Sequence, residues 1–262
     1  MGSFDVIRDG RGSRFVAVGP EGGEHGHAVV RRRPDRRTFV FVLDASADAC
    51  RTLLAAVARD VDGPLHTTVE ASDAARLADL ASAGFVPTRR ESEYVLDVAT
   101  ALGRLGDASL PTGYVLANVG DVPPDELRVL DDRLRQDVPG TDGWEWDAAG
   151  FHDETYDPGQ FDPQLYWIAV HQVDGERVGL VRVWRRPEAF RLGLIAVLPR
   201  HRRRGISRGL LGHVLGRLDA RGVGEVVTEI DDGNEASRGL LIGLGVRRIG
   251  GSVELVRGGA AR

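Results

Sequence analysis

Leu192-Gly193-Leu194-Ile195-Ala196-Val197 runs through Leu198-Pro199-Arg200-His201 into Arg202-Arg203-Arg204-Gly205-Ile206-Ser207. An apolar run of six residues reads as a buried strand, and the basic, Gly-containing turn after it opens a helix. Ile206, Leu210, Val214 and Leu218 recur every four residues, and Gly222 stands where a left-handed cap would end the helix. A helix that starts directly from such a turn leaves its first backbone N–H groups unpaired at the positive end of its dipole. Those groups suit a phosphate diester.

The residues that follow keep a regular order. Residues 226–230 form a second strand carrying Glu229, then come Asn234-Glu235-Ala236-Ser237-Arg238-Gly239-Leu240-Leu241 and Leu244-Gly245-Val246. With the strand before it, Arg202-Arg203-Arg204-Gly205-Ile206-Ser207 resembles the acetyl-CoA motif of the GNAT superfamily of N-acetyltransferases, a strand followed by R/Q-x-x-G-x-G/A. The resemblance covers about residues 111–262. It implies acetyl-CoA as cosubstrate, held by Ile195, Ala196 and Val197 along its pantetheine arm, by Arg202, Arg203, Arg204, Gly205, Ile206 and Ser207 at its pyrophosphate, and by Asn234. Asn234 suits a helix N-cap at least as well. Ser207 stands where the family has Gly or Ala, and serine is still small.

The first hundred residues hold a shorter echo of this order. Thr38–Leu43 reads as a strand, 47–59 as a helix capped by Ser46, 65–69 as a strand and 73–83 as a helix ending at Gly84; Glu93-Tyr94-Val95-Leu96 closes the half as Glu254-Leu255-Val256 closes the second. The expected fold is α/β (α+β): tandem GNAT folds with mixed, mostly antiparallel sheets flanked by helices, resembling mycothiol synthase-like acetyltransferases in layout. The expected domains are 1–98, 99–112 as a linker of small residues, Gly and Pro, and 113–262 as the catalytic unit. The N-terminal half is degenerate, because the turn after Leu43 reads Asp44-Ala45-Ser46-Ala47-Asp48 and carboxylates there repel phosphate.

The resemblance implies direct transfer of the acetyl group to an amine in a ternary complex. An alkyl amine with a pKa of about 10 is protonated at neutral pH, so a base must take a proton. Glu229 is the first choice, by its distance from Asn234; an ion-paired strand-end carboxylate is the other reading. Asp231 and Asp232 stand behind it. Many GNAT enzymes place a proton-donating tyrosine where this chain has Leu241. A thiolate whose thiol has a pKa of about 8.5 can leave without an obligatory acid, or Ser237, Tyr156 or Tyr166 can supply the proton.

The segment 142–162, DGWEWDAAGFHDETYDPGQFD, holds seven carboxylates and no arginine. Where the family places the acceptor site, Trp144, Trp146, Glu154 and Tyr156 would draw a small cationic amine by charge and cation–π attraction; a solvated acidic loop over packed tryptophans fits the same residues. Two other classes stay open, a protein or peptide N-acetyltransferase and a non-catalytic acyl-CoA-binding module.

Composition narrows the remainder. The 262 residues are 42% hydrophobic and 28% charged with a net charge of -5, which argues against general nucleic-acid binding. Every basic residue other than histidine is arginine. No apolar stretch reaches the ~18 residues of a membrane span and the first twenty residues lack a signal-peptide core, so a cytoplasmic protein, monomer or homodimer, is expected. Cys50 is the only cysteine, which excludes an intramolecular disulfide, and it shares a helical spacing with Leu53, Leu54 and Val57 that makes it a core side chain. No metal site is expected.

Overall fold

In the computed structural model, residues 4–9 and 13–258 are described. The elements in chain order are β1 (Asp5–Arg8), β2 (Arg14–Val18), β3 (Glu24–Arg32), β4 (Thr38–Leu43), α1 (Ala47–Asp60), β5 (Leu65–Glu70), α2 (Ala74–Ser82), β6 (Val86–Asp97), α3 (Val98–Leu105), β7 (Tyr114–Asn118) and α4 (Pro124–Arg135). They continue with α5 (Ala148–Thr155), β8 (Tyr166–His171), β9 (Arg177–Arg185), β10 (Phe190–Val197), α6 (Ile206–Asp219), β11 (Glu225–Asp231), α7 (Glu235–Gly243) and β12 (Arg247–Arg257). This is a mixed α/β fold whose strand pairings are mostly antiparallel.

The chain divides into two compact units, one of residues up to Glu91 together with those from Gly250, the other Ser92–Ile249. In the first, the strands run β1-β2-β3-β4-β5-β12. Glu254, Leu255 and Val256, expected to close the second half, therefore belong to the first: they pair antiparallel with β5 opposite Thr68, Thr67 and His66. The reason is a long-range register that no local pattern records. Helix α1 buries Cys50, Leu53, Leu54 and Val57 in the core of this unit with Phe15, Ala28, Val40 and Leu255. Burial pushes the Cys50 thiol pKa up, which suits a packing side chain and not a nucleophile.

In the second unit the strands run β6-β11-β10-β9-β8-β7. Residues 99–105, expected within a linker, are instead part of α3, because Val98, Ala101 and Leu105 form a stripe that packs in one core with Leu210, Leu211 and Val214 of α6. Only the stretch after Gly106 is irregular, and it lies close against α6: a Cβ on Gly209 would meet the Ser109 carbonyl oxygen at 2.8 Å, and one on Gly212 that of Ala108 at 2.7 Å. A second core holds Leu127, Leu130 and Leu134 of α4 and Phe151 of α5 against Tyr166, Ile168 and Leu180. β10 thus lies between two apolar layers, with Leu192, Ile195 and Val197 in the α6 core and Leu194 and Ala196 in the α4 core.

Candidate active site

β10 and β11 run parallel but pair only at Phe190 with Val226 and at Arg191 with Val227. Beyond those two positions they part, although β10 continues to Val197 and β11 to Asp231. Side chains hold the point of divergence: the Thr228 hydroxyl donates to the Leu192 carbonyl oxygen at 3.3 Å, and Arg191 Nε lies 2.5 Å from Glu229 Oε2. On its other edge β10 carries a bulge between Leu192 and Leu194. Gly193 is the extra residue, and a Cβ there would lie 2.4 Å from Trp184 Nε1, so a glycine lets the indole sit on the strand.

At the open end of the cleft the turn enters α6. Gly205 is the N-cap, in the left-handed region at φ 90°, and no side chain caps the helix. The first α6 bond from the turn is Gly209 N–H to the Gly205 carbonyl; among the described residues no acceptor meets the N–H groups of Arg203 through Arg208. A Cβ on Gly205 would meet nothing within 4 Å. Six unpaired donors at a helix start with open space beside them form an anion cradle, and the residues present fit the pyrophosphate of acetyl-CoA.

The three arginines of the turn are not equivalent. Arg202 donates to the Val197 carbonyl oxygen at 2.8 Å and pairs with Asp137. Arg203 (φ 61°) has no partner among the described residues, and Arg204 donates to Tyr114 Oη at 3.2 Å and to the Arg200 carbonyl at 3.3 Å. Ile206 is buried and Ser207 half-buried on the first turn of α6. Asn234 is the N-cap of α7, its Oδ1 accepting from Ser237 N–H at 3.1 Å, while Leu241 is fully packed in the α6 core. Ser237 thus lies on the first turn of α7.

The segment 142–162 is arranged differently from a ready acceptor wall. Asp147, Asp157 and Asp162 accept bonds from the backbone N–H groups of Gly150, Gly159 and Gln164, and Asp162 also pairs with Arg221. Glu154 is exposed on α5, and Tyr156 is half-buried against Phe161, its hydroxyl pKa raised by burial. The tryptophans Trp144 and Trp146 meet at 4.5 Å, and their faces already hold a cation, since Arg135 of α4 lies 5.0 and 4.8 Å from the two ring centroids.

Beneath them lies a charged cluster that sequence reading missed. Asp131, fully buried, accepts from Arg182 at 3.0 Å, from Arg135 at 2.9 Å and from Trp146 Nε1 at 3.1 Å. Its members come from α4, the loop before α5 and β9, far apart in the chain, so spacing offered no signal. Among the described residues no group of three or more His, Cys, Asp or Glu side chains is placed to hold a metal ion, and no helix is long and apolar enough to cross a membrane.

A splayed parallel strand pair, a bulge on one of its strands and an uncapped helix after a basic turn make up the site. Residues 130–245 match the model of the acetyltransferase (GNAT) family. The fold is similar to that of a tandem GNAT protein from the clavulanic acid biosynthesis pathway (TM-score 0.70, 18% identity, 95% of this chain and 83% of that one). It is also similar to a GCN5-related N-acetyltransferase from Sphaerobacter thermophilus (TM-score 0.68, 19% identity, 94% and 80%) and to one from Kribbella flavida (0.60, 14%, 98% and 91%). A comparison with curated protein sequences found no match.

Proposed function

We propose that the chain transfers the acetyl group of acetyl-CoA to a small amine. The observation that carries this is the pairing of β10 with β11 at two positions only, with six unpaired N–H groups at the head of the adjoining helix. Ile195, Ala196 and Val197 line the gap with backbone that β11 does not satisfy, which suits the amide groups of a pantetheine arm lying in it like an added strand. Acetyl-CoA supplies the acetyl thioester. Glu229 takes one proton of the ammonium group; the freed amine nitrogen forms the new C–N bond as the C–S bond breaks, its second proton passes to water, and CoA leaves as thiolate, which water protonates. Leu241 removes the tyrosine route to that proton, and the low basicity of a thiolate makes the route dispensable.

A small cationic acceptor is supported by exposed Asp142, Glu145, Asp153 and Glu154 in the segment packed around α5. The slot between Trp144 and Trp146 is not its seat, since Arg135 fills it. The test is a turnover screen over polyamines, aminoglycosides, amino acids and peptides with thiol release as the signal. Release with a small amine supports the reading; release with peptides alone assigns a protein acetyltransferase, and acetyl-CoA binding without release from any acceptor assigns a binding module.

A further inference from the structure

Of the three arginines in the turn, Arg204 is held in place without being neutralised. Arg202 meets a carboxylate, Asp137. Both contacts of Arg204 are to uncharged oxygens, the phenol of Tyr114 and the carbonyl of Arg200. The phenol is itself anchored: Tyr114 Oη lies 2.8 Å from His201 Nδ1, both residues are buried, and His201 Nε2 lies 3.4 Å from Glu176 Oε2. Glu176 pairs further with Arg200, which lowers its pKa, and with Arg133 of α4 at 3.2 Å. Arg200 Nε donates to His201 Nε2 at 3.2 Å, which leaves the ring proton on Nδ1; Nδ1–H then donates to the Tyr114 phenol oxygen, whose other lone pair accepts from Arg204. The chain of contacts runs from the β8–β9 turn through the basic turn and β7 back to the head of α6.

We propose that Tyr114 and His201 are positioning residues that preset the Arg204 guanidinium for a phosphate group of acetyl-CoA. An exposed arginine loses its rotamer freedom on binding an anion, and a tether to a neutral oxygen removes part of that cost while leaving the full charge for the ligand. A carboxylate partner would fix the side chain equally well and cancel its attraction. The inference rests on the reading of the turn as a phosphate cradle.

The test is calorimetric titration of the full chain with acetyl-CoA, in a cycle of Tyr114→Phe, Arg204→Gln and both together. Tyr114→Phe keeps the ring and should weaken binding roughly three- to tenfold, the scale of one positioning hydrogen bond; His201→Gln should do the same. The loss should vanish in the Arg204→Gln background, since the phenol acts only through that guanidinium. Additive losses, or an unchanged affinity in folded Tyr114→Phe and His201→Gln, would overturn the proposal, because a purely structural phenol has no reason to couple to Arg204. Failure of the unaltered chain to bind acetyl-CoA would overturn the reading of the turn itself, before any variant is compared.

Discussion

Arg191, the last paired residue of β10, reaches across to Glu229, two residues past its own partner Val227 on β11, Nε to Oε2 at 2.5 Å. The contact anchors one carboxylate oxygen; under the proposed function the other would take the proton of the acceptor amine. Glu229→Gln keeps the shape and removes the base. It should lower turnover at neutral pH by roughly 10²-fold with acetyl-CoA affinity nearly unchanged. The deficit should shrink as pH approaches the amine pKa of about 10, where free amine needs no base. Steady-state rates across pH decide this, and full activity at neutral pH would take the role away from Glu229.

Gly205→Asp should abolish acetyl-CoA binding while the chain stays folded. The new Cβ has open space but φ 90° strains any side chain, so Gly205→Asn, with the same shape and no charge, is the control for that strain. What changes is the charge set among the six free N–H groups. Calorimetry of the folded variant with unaltered affinity would refute the cradle.

One acetyl-CoA should bind per chain. In the first unit β4 and β5 also pair at two positions only, Thr38 with Leu65 and Phe39 with His66, so the parting of the strands is repeated there. The helix that follows is different: Ser46 caps α1 by accepting from Ala49 N–H at 3.3 Å, and Asp44 and Asp48 flank the turn. A capped, acidic helix start offers phosphate neither donors nor attraction. A titration saturating at two equivalents would show a second cradle.

Gly193→Ala should destabilise the second unit, because the methyl group would have to displace Trp184. Overpacking of this kind costs about 1–3 kcal/mol, which lowers the thermal midpoint by roughly 3–10 °C. Adding Trp184→Phe, which deletes the indole nitrogen, should restore part of the loss. Scanning calorimetry of the two variants checks both expectations, and an unshifted midpoint in Gly193→Ala would mean that the bulge gives way.

Features set by neighbouring residues were legible in the sequence. Thr38–Leu43, the Ser46 cap and the α6 stripe ending before Gly222 (φ 73°) follow from apolar period, capping chemistry and glycine's freedom at positive φ. Small residues misled: Ala99, Ala101 and Gly103 read as a connector, yet Val98 and Leu105 give the same stretch a buried face. Partners remote in sequence were not legible. Nothing near Trp144 announces Arg135, nothing near Asp131 announces Arg182, and nothing near His201 announces Tyr114 or Glu176.

The pairing of β12 with β5 sets a schedule for the first unit. Leu65 pairs with Arg257, so a sheet begun in the first hundred residues is finished by a strand made long after it. At translation rates of about 5–20 residues per second, the roughly 160 residues between Glu91 and Gly250 impose a wait of about 10–30 s on the nascent chain. Throughout that interval β5 lacks its β12 neighbour, and its backbone donors and acceptors on that edge are open to other strands. The second unit, complete in Ser92–Ile249, can fold first. Assembly would then run against the order of synthesis, from the second unit to the first.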